Sequence, residues 1–139
     1  MWKLTLFDYY MGRDAKYVVP SEVKANAEHT VEQVNKLLSY LEAHGIEIQI
    51  NPRTKNPITS GWRPPEINAA TPNAAPKSKH VTGCACDIYD PDGEIDDFLM
   101  LYPNILRDLG LHMEHPSATK GWCHVQTVPP RSGKLVFYP

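Results

Sequence analysis

No stretch of this sequence comes near the ~18 consecutive apolar residues of a helical membrane span, so none is expected. Basic residues are not in excess either. Fourteen Lys and Arg against sixteen Asp and Glu give a net charge of -2, and that balance argues against a nucleic-acid partner. Cysteine is scarce: three residues, with Cys84 and Cys86 only one position apart, are too few and too badly spaced for a disulfide framework. Such usage points to synthesis in a reducing compartment. An export signal is not expected, because Lys3 and Asp8 interrupt what would have to be its apolar core, leaving the cytoplasm as the expected place of synthesis.

What is present is an ordinary globular composition, 139 residues with 42% hydrophobic and 22% charged. One domain over residues 1–139 fits that length, and such a domain can bury roughly two-thirds of its unfolded surface. Thirteen prolines, gathered in the middle and at the end, predict long ordered loops joined by short strands. A monomer is expected.

Residues 1–10 read either as an extended segment or as a short helix lying on the core. After Pro20, Ser21 is a good helix N-cap. Val23, Ala27, Val31, Val34, Leu38 and Leu41 then recur at steps of four and three, one apolar stripe along a long helix that Gly45 stops. Thr30 and Gln33 form a capping-box pattern inside it, but the stripe runs through and favours a single element. Ile46, Ile48 and Ile50 alternate with polar residues and predict a strand. Residues 58–63 predict a second strand, broken by Pro64 and Pro65, and residues 66–79 a long loop without periodicity. A central strand is expected over 84–89, a helical stretch divided by Pro103 over 95–109, and further strands over 111–114, 122–126 and 135–138, the last at an edge. Runs of helices and strands without strict alternation predict an α+β fold: a small, mainly antiparallel sheet packed with a long N-terminal helix and a shorter second one.

The chemistry concentrates at His80, Asp87 and His124. Two imidazoles and one carboxylate with a position left open are the ligand count of a catalytic zinc site, one ion. Side-chain alternation puts Asp87 on the strand face opposite Cys84 and Cys86, and His124 and Gln126 on the face opposite Cys123. If the two strands are neighbours, Asp87 and His124 share the open face and the thiols go to the core. His80 lies seven residues before Asp87, up to ~23 Å along a straight chain, so the chain must turn between them, and Gly83 is where it can. A rival set, Cys84, Cys86 and Cys123 with His80 or His124, has the donor types of a closed structural zinc site. A straight C-x-C on a strand suits that poorly, and small buried hydrophobes are the better reading of the thiols.

Three motifs, Ser60-Gly61-Trp62-Arg63-Pro64 with Asn68 after it, Ser78-Lys79-His80-Val81-Thr82-Gly83-Cys84-Ala85-Cys86-Asp87, and Trp122-Cys123-His124-Val125-Gln126, resemble the zinc D-alanyl-D-alanine carboxypeptidase family, in its phage murein peptidase branch. The match covers about half the chain, and the middle motif meets every position of the family pattern. The resemblance implies a fold like that of hedgehog proteins and DD-peptidases, zinc on His80, Asp87 and His124, Arg63 facing the substrate, and Ser78 beside it. It also implies that Glu114, in His112-Met113-Glu114-His115-Pro116, is the catalytic carboxylate. His112 falls on the same strand face as Glu114, and His115 on the other. Trp62 and Trp122 are candidates for cleft walls or core.

The implied function is a zinc peptidase that hydrolyses a peptide bond in the stem or cross-link of cell-wall peptidoglycan, as a carboxypeptidase or an endopeptidase. That fits a phage-encoded protein carried in the virion or released at lysis. The alternative is a zinc-containing peptidoglycan-binding or virion structural module that does not catalyse. In the peptidase reading Glu114 takes a proton from water and later delivers it, while the planar fork of Arg63 binds anionic oxygen in two places.

Overall fold

A computed structural model describes residues 2–139. The fold is α+β, with a five-stranded, mostly antiparallel sheet. The elements in chain order are α1 (Leu6–Tyr10), α2 (Ser21–Ala43), β1 (Ile58–Ser60), α3 (Pro65–Ala70), β2 (Ala85–Asp90), α4 (Glu94–Leu101), α5 (Asn104–Asp108), β3 (His112–Glu114), β4 (Gly121–Gln126) and β5 (Val136–Phe137). The sheet order is β1-β2-β4-β3-β5. Every neighbouring pair is antiparallel except β3 and β5, which run parallel at the far edge. Among the described residues no helix is long and apolar enough to cross a membrane.

The N-terminal segment resolves as a short helix because Thr5 builds a reciprocal cap. Its hydroxyl accepts from the Asp8 amide while the Asp8 carboxylate accepts from the Thr5 amide, satisfying two donors that a helix start leaves open. The long helix is one uninterrupted element of 23 residues, about 35 Å of rigid rod at 1.5 Å per residue. Ser21 does not cap it: Pro20 occupies the cap position and Ser21 is the first helical residue, with no side-chain cap bond. Thr30 does not split it either, because its hydroxyl points across to the Gly83 carbonyl at 2.7 Å.

The other differences from expectation have simple causes. Residues 46–50 form no strand: Ile46 and Ile48 pack against the core, but Ile50 is 41% exposed and the backbone there has no strand to pair with. Apolar alternation alone cannot make a strand when no ladder partner lies alongside. The stretch expected to be a plain loop contains α3, which Pro65 opens from the first-turn position where its missing N–H costs nothing. The predicted strand over 58–63 stops at Ser60, where its pairing with β2 shifts register.

One face of the sheet, with Cys86, Ile88, Met113, Cys123 and Val125, joins Ala27, Val31, Val34, Leu37, Leu38 and Leu41 of α2 in a single hydrophobic core. The helix also holds the turn that precedes β2. Gly83 adopts φ +79, and a Cβ there would sit 2.9 Å from the Val23 carbonyl oxygen, so only glycine lets this turn lie so close to α2. Asn26 donates to the Thr82 carbonyl at 3.0 Å, and Thr30, fully buried, to that of Gly83. Thr30→Val keeps the shape of the side chain but strands a buried carbonyl. It is expected to lower unfolding free energy by about 1–3 kcal/mol, measured by urea denaturation at constant slope.

Candidate metal centre

On the other face of the sheet, the β2 and β4 register sets Asp87 directly opposite His124, with Ala85 opposite Gln126 and Tyr89 opposite Trp122. The β3 and β4 register pairs His112 with Gln126 and Met113 with Val125. Continued one residue, it brings Glu114 beside His124 from the other side. Asp87, His124 and Glu114 thus form a row across three neighbouring strands. The loop after β3 is tied down by Thr119, whose hydroxyl donates to the Asp96 carboxylate of α4 at 3.2 Å.

His80 reaches the same point from the turn before β2. Its Nε2 lies 3.2 Å from Asp87 Oδ2, and His124 Nδ1 lies 2.8 Å from Asp87 Oδ1. All three side chains are buried, with one potential ligand atom of each within 4.8 Å of the others. This group could hold a metal ion. The donor chemistry fits one. His80 Nδ1 is committed to the Gly61 carbonyl at 2.8 Å, which leaves Nε2 for a metal. His124 has the opposite arrangement: Nε2 faces Gln126 Oε1 at 2.9 Å, leaving Nδ1. The Gln126 amide in turn donates to the Val128 carbonyl at 2.9 Å, which turns its oxygen toward the histidine. Each ring has one nitrogen anchored by the protein and the other aimed at Asp87, the outer-shell arrangement that orients histidine ligands.

The electrostatics follow from burial and charge. Burial alone would push the Asp87 carboxyl up, but the charge of His80 and hydrogen bonds from His124 and His80 hold it well below the usual carboxylate range. Burial disfavours charge on His124, yet the hydrogen bond to Asp87 and the charges of Asp87 and Glu114 outweigh it and push its pKa up to about 9. Without metal, Asp87 and Glu114 therefore favour the charged form of His124. Glu114 Oε2 stands 3.6 Å from His124 Nε2. Burial raises the Glu114 carboxyl above its ordinary value against the pull of His124.

These residues line a cleft of about 700 Å³, together with Arg63, Ser78, Lys77, Lys79, Trp122 and Phe137. Arg63 is half-buried and donates from Nη2 to Ser78 Oγ at 2.9 Å; its Nε is buried without a partner. Burial lowers its pKa, while Asp87 and Glu114 favour its charge.

Other candidates lie elsewhere. Trp62 is core, 1% exposed, with its indole N–H donating to the Val81 carbonyl and its ring edge-on to Tyr10. Trp122 lines the cleft. The His112 ring bonds the Lys134 carbonyl outside the cleft, and His115 stacks on Tyr138. The three thiols are free and buried, Cys86 and Cys123 within the hydrophobic core, where burial pushes both up. Strand alternation sends Cys86 and Cys123 through the sheet from the histidines, and Cys84 lies in the turn just before β2. Sequence reasoning gave no role to Gln126, although its place two residues after His124 on one face was a usable signal. The Gly61 carbonyl, a backbone group, left no signal at all.

Comparison of the chain with protein-family models, with curated proteins and with solved structures gives no match.

Because a metal must displace the His124 proton, binding at pH 7 is expected to release about one proton, and apparent affinity to climb ~tenfold per pH unit until about pH 9. Calorimetry in buffers of different ionisation enthalpy reads this directly. The sign for stability is opposite: His124 is raised, so its contribution to the metal-free protein is whole below ~6.5 and disappears as pH rises through about 9. His80→Ala should empty the site and Cys84→Ser should leave it filled; a metal that follows the cysteine instead would rule out the assignment.

Proposed function

We propose that the chain is a zinc-dependent peptidase acting on the peptide of bacterial peptidoglycan. The observation that carries this reading is Glu114, a half-buried carboxylate that no metal ligand requires, standing next to His124 at the floor of a cleft. Two imidazoles and a carboxylate are a zinc donor set, and they leave the ion a net charge of one. When bound, zinc supplies Lewis acidity to a water and to a substrate carbonyl, and lowers the pKa of the water toward ~7.

The chain's own residues supply the rest. Glu114 accepts a proton at a carboxylate oxygen and delivers it to the departing amine, and a raised pKa suits a group that must do both near neutrality. Arg63 lines the cleft and carries a planar guanidinium fork suited to anionic oxygen. Ser78 holds that fork in place. Trp122 and Phe137 give the cleft an apolar side. Cell-wall peptide as the substrate is supported by the motif resemblance over Ser60 to Gln126.

Glu114→Gln is expected to reduce release of product from murein or from a D-alanyl-D-alanine peptide by about 10²- to 10⁴-fold, the usual worth of general acid–base catalysis, with metal content unchanged. Chromatography of the released fragments and elemental analysis measure the two arms. Equal inertness of wild type and variant on every wall peptide would favour instead a zinc-containing binding module of the same fold.

A further inference from the structure

The pairing of β1 with β2 ends at Ser60 opposite Asp87. Beyond that point the groups that would continue the ladder go to a different element, the short helix α1. The Trp62 amide donates to the Tyr9 backbone carbonyl at 3.0 Å, and the Tyr9 hydroxyl donates to the Ala85 carbonyl at 2.7 Å. A single, fully buried tyrosine thereby bridges the two strands where they part. Between those bonds the Gly61 carbonyl is left for His80 Nδ1.

The approach is close. A Cβ on Gly61 would lie 2.1 Å from the Tyr9 carbonyl oxygen and 2.9 Å from its carbon, both backbone atoms. No side-chain rotation relieves such a clash, so any residue but glycine must move α1 away from β1. The Gly61 carbonyl moves with them. His80 is 2% exposed, so water cannot replace that acceptor freely. A hydrogen bond to one ring nitrogen fixes how an imidazole is turned, and here the Nδ1 bond belongs to Gly61.

We propose that Tyr9 and Gly61 are positioning residues for His80: Tyr9 holds the peptide between Gly61 and Trp62, and with it the Gly61 carbonyl against Nδ1, so that Nε2 is directed at Asp87 and at the place a metal would take. Tyr9 lies outside the cleft and touches none of the three ligand side chains through its hydroxyl. The proposal rests on the metal-site reading and not on peptidase activity.

The test reads two quantities in the intact protein, the chemical shift and exchange rate of the His80 Nδ1 proton in the metal-free state, which report its bond to Gly61, and Zn²⁺ affinity by chelator competition. Wild type is expected to show a slowly exchanging Nδ1 proton bonded to the Gly61 carbonyl. Gly61→Ala is expected to lose that signature and bind Zn²⁺ about 10- to 100-fold more weakly, the range seen when an outer-shell partner of a ligand is removed. Tyr9→Phe keeps the ring in the core, loses only the hydroxyl, and is expected to shift both readouts the same way by a smaller factor. Tyr10→Phe, which removes a buried hydroxyl that has no hydrogen-bond partner, is expected to change neither. A folded Gly61→Ala protein with the wild-type Nδ1 signature and affinity overturns the proposal. If Gly61→Ala does not fold, Tyr9→Phe values indistinguishable from those of Tyr10→Phe overturn it. Wild-type protein that binds no Zn²⁺ refutes the metal reading, and the Nδ1 signature of the variants then decides the positioning role alone.

Discussion

A carboxylate buried in the middle of a sheet is tolerable only if something answers its charge, and in this protein the rest of the structure is arranged around that need at Asp87. An isolated charge there would neutralise or unfold its surroundings. Two histidines prevent that, one at 2.8 Å across the strand ladder and one at 3.2 Å from the preceding turn. Neither can do so by itself with certainty of geometry. His124 is held by register, since antiparallel pairing to β2 sets it directly opposite Asp87. His80 is held by the turn at Gly83, which α2 clasps from beneath. A proton on His124 and a metal ion would then be competing answers to one electrostatic demand, and the same burial that makes the carboxylate costly makes either answer strong.

The two faces of the sheet divide the labour. Strand alternation turns Cys86, Ile88, Cys123 and Val125 into α2 and leaves Asp87, His124 and Gln126 for the cleft. Packing on the apolar face thus fixes the polar face without any polar side chain having to specify its own place. The long helix serves both sides: its apolar stripe fills the core, while Asn26 and Thr30 reach past it to the backbone of the turn that carries His80.

That division explains what was legible in the sequence. Alternation across 84–89 and 122–126 placed Asp87 and His124 on a common face, and spacing required a turn at Gly83; both are local rules that the chain obeys. The α+β class and the uninterrupted α2 followed from periodicity in the same way. Legibility failed where the deciding partner was remote. Ile46, Ile48 and Ile50 carry a strand pattern, but whether a ladder exists depends on a neighbour that the segment does not encode. Ser21 looked like a cap because residue type was visible and backbone geometry was not. The Tyr9 hydroxyl and the Gly61 carbonyl find partners 76 and 19 residues away, each bond having a main-chain oxygen as acceptor, and no side-chain pattern announces them.

Two carboxylates face this cleft, and their surroundings push them in opposite directions. Asp87 receives hydrogen bonds from both imidazoles and is driven far toward the charged form. Glu114, one strand further along the same row, has no such bonds; its burial raises it toward the neutral form, and the positive charge of His124 only moderates the rise. A group held in its charged state makes a good metal ligand and a poor proton carrier, whereas a carboxyl that burial raises is the better suited of the two to take up a proton. Environment alone therefore separates the roles that the peptidase reading assigns to them. The separation is a property of the sheet register, because a slip of one residue between β3 and β4 would send Glu114 through to the core face and bring apolar Met113 into its place.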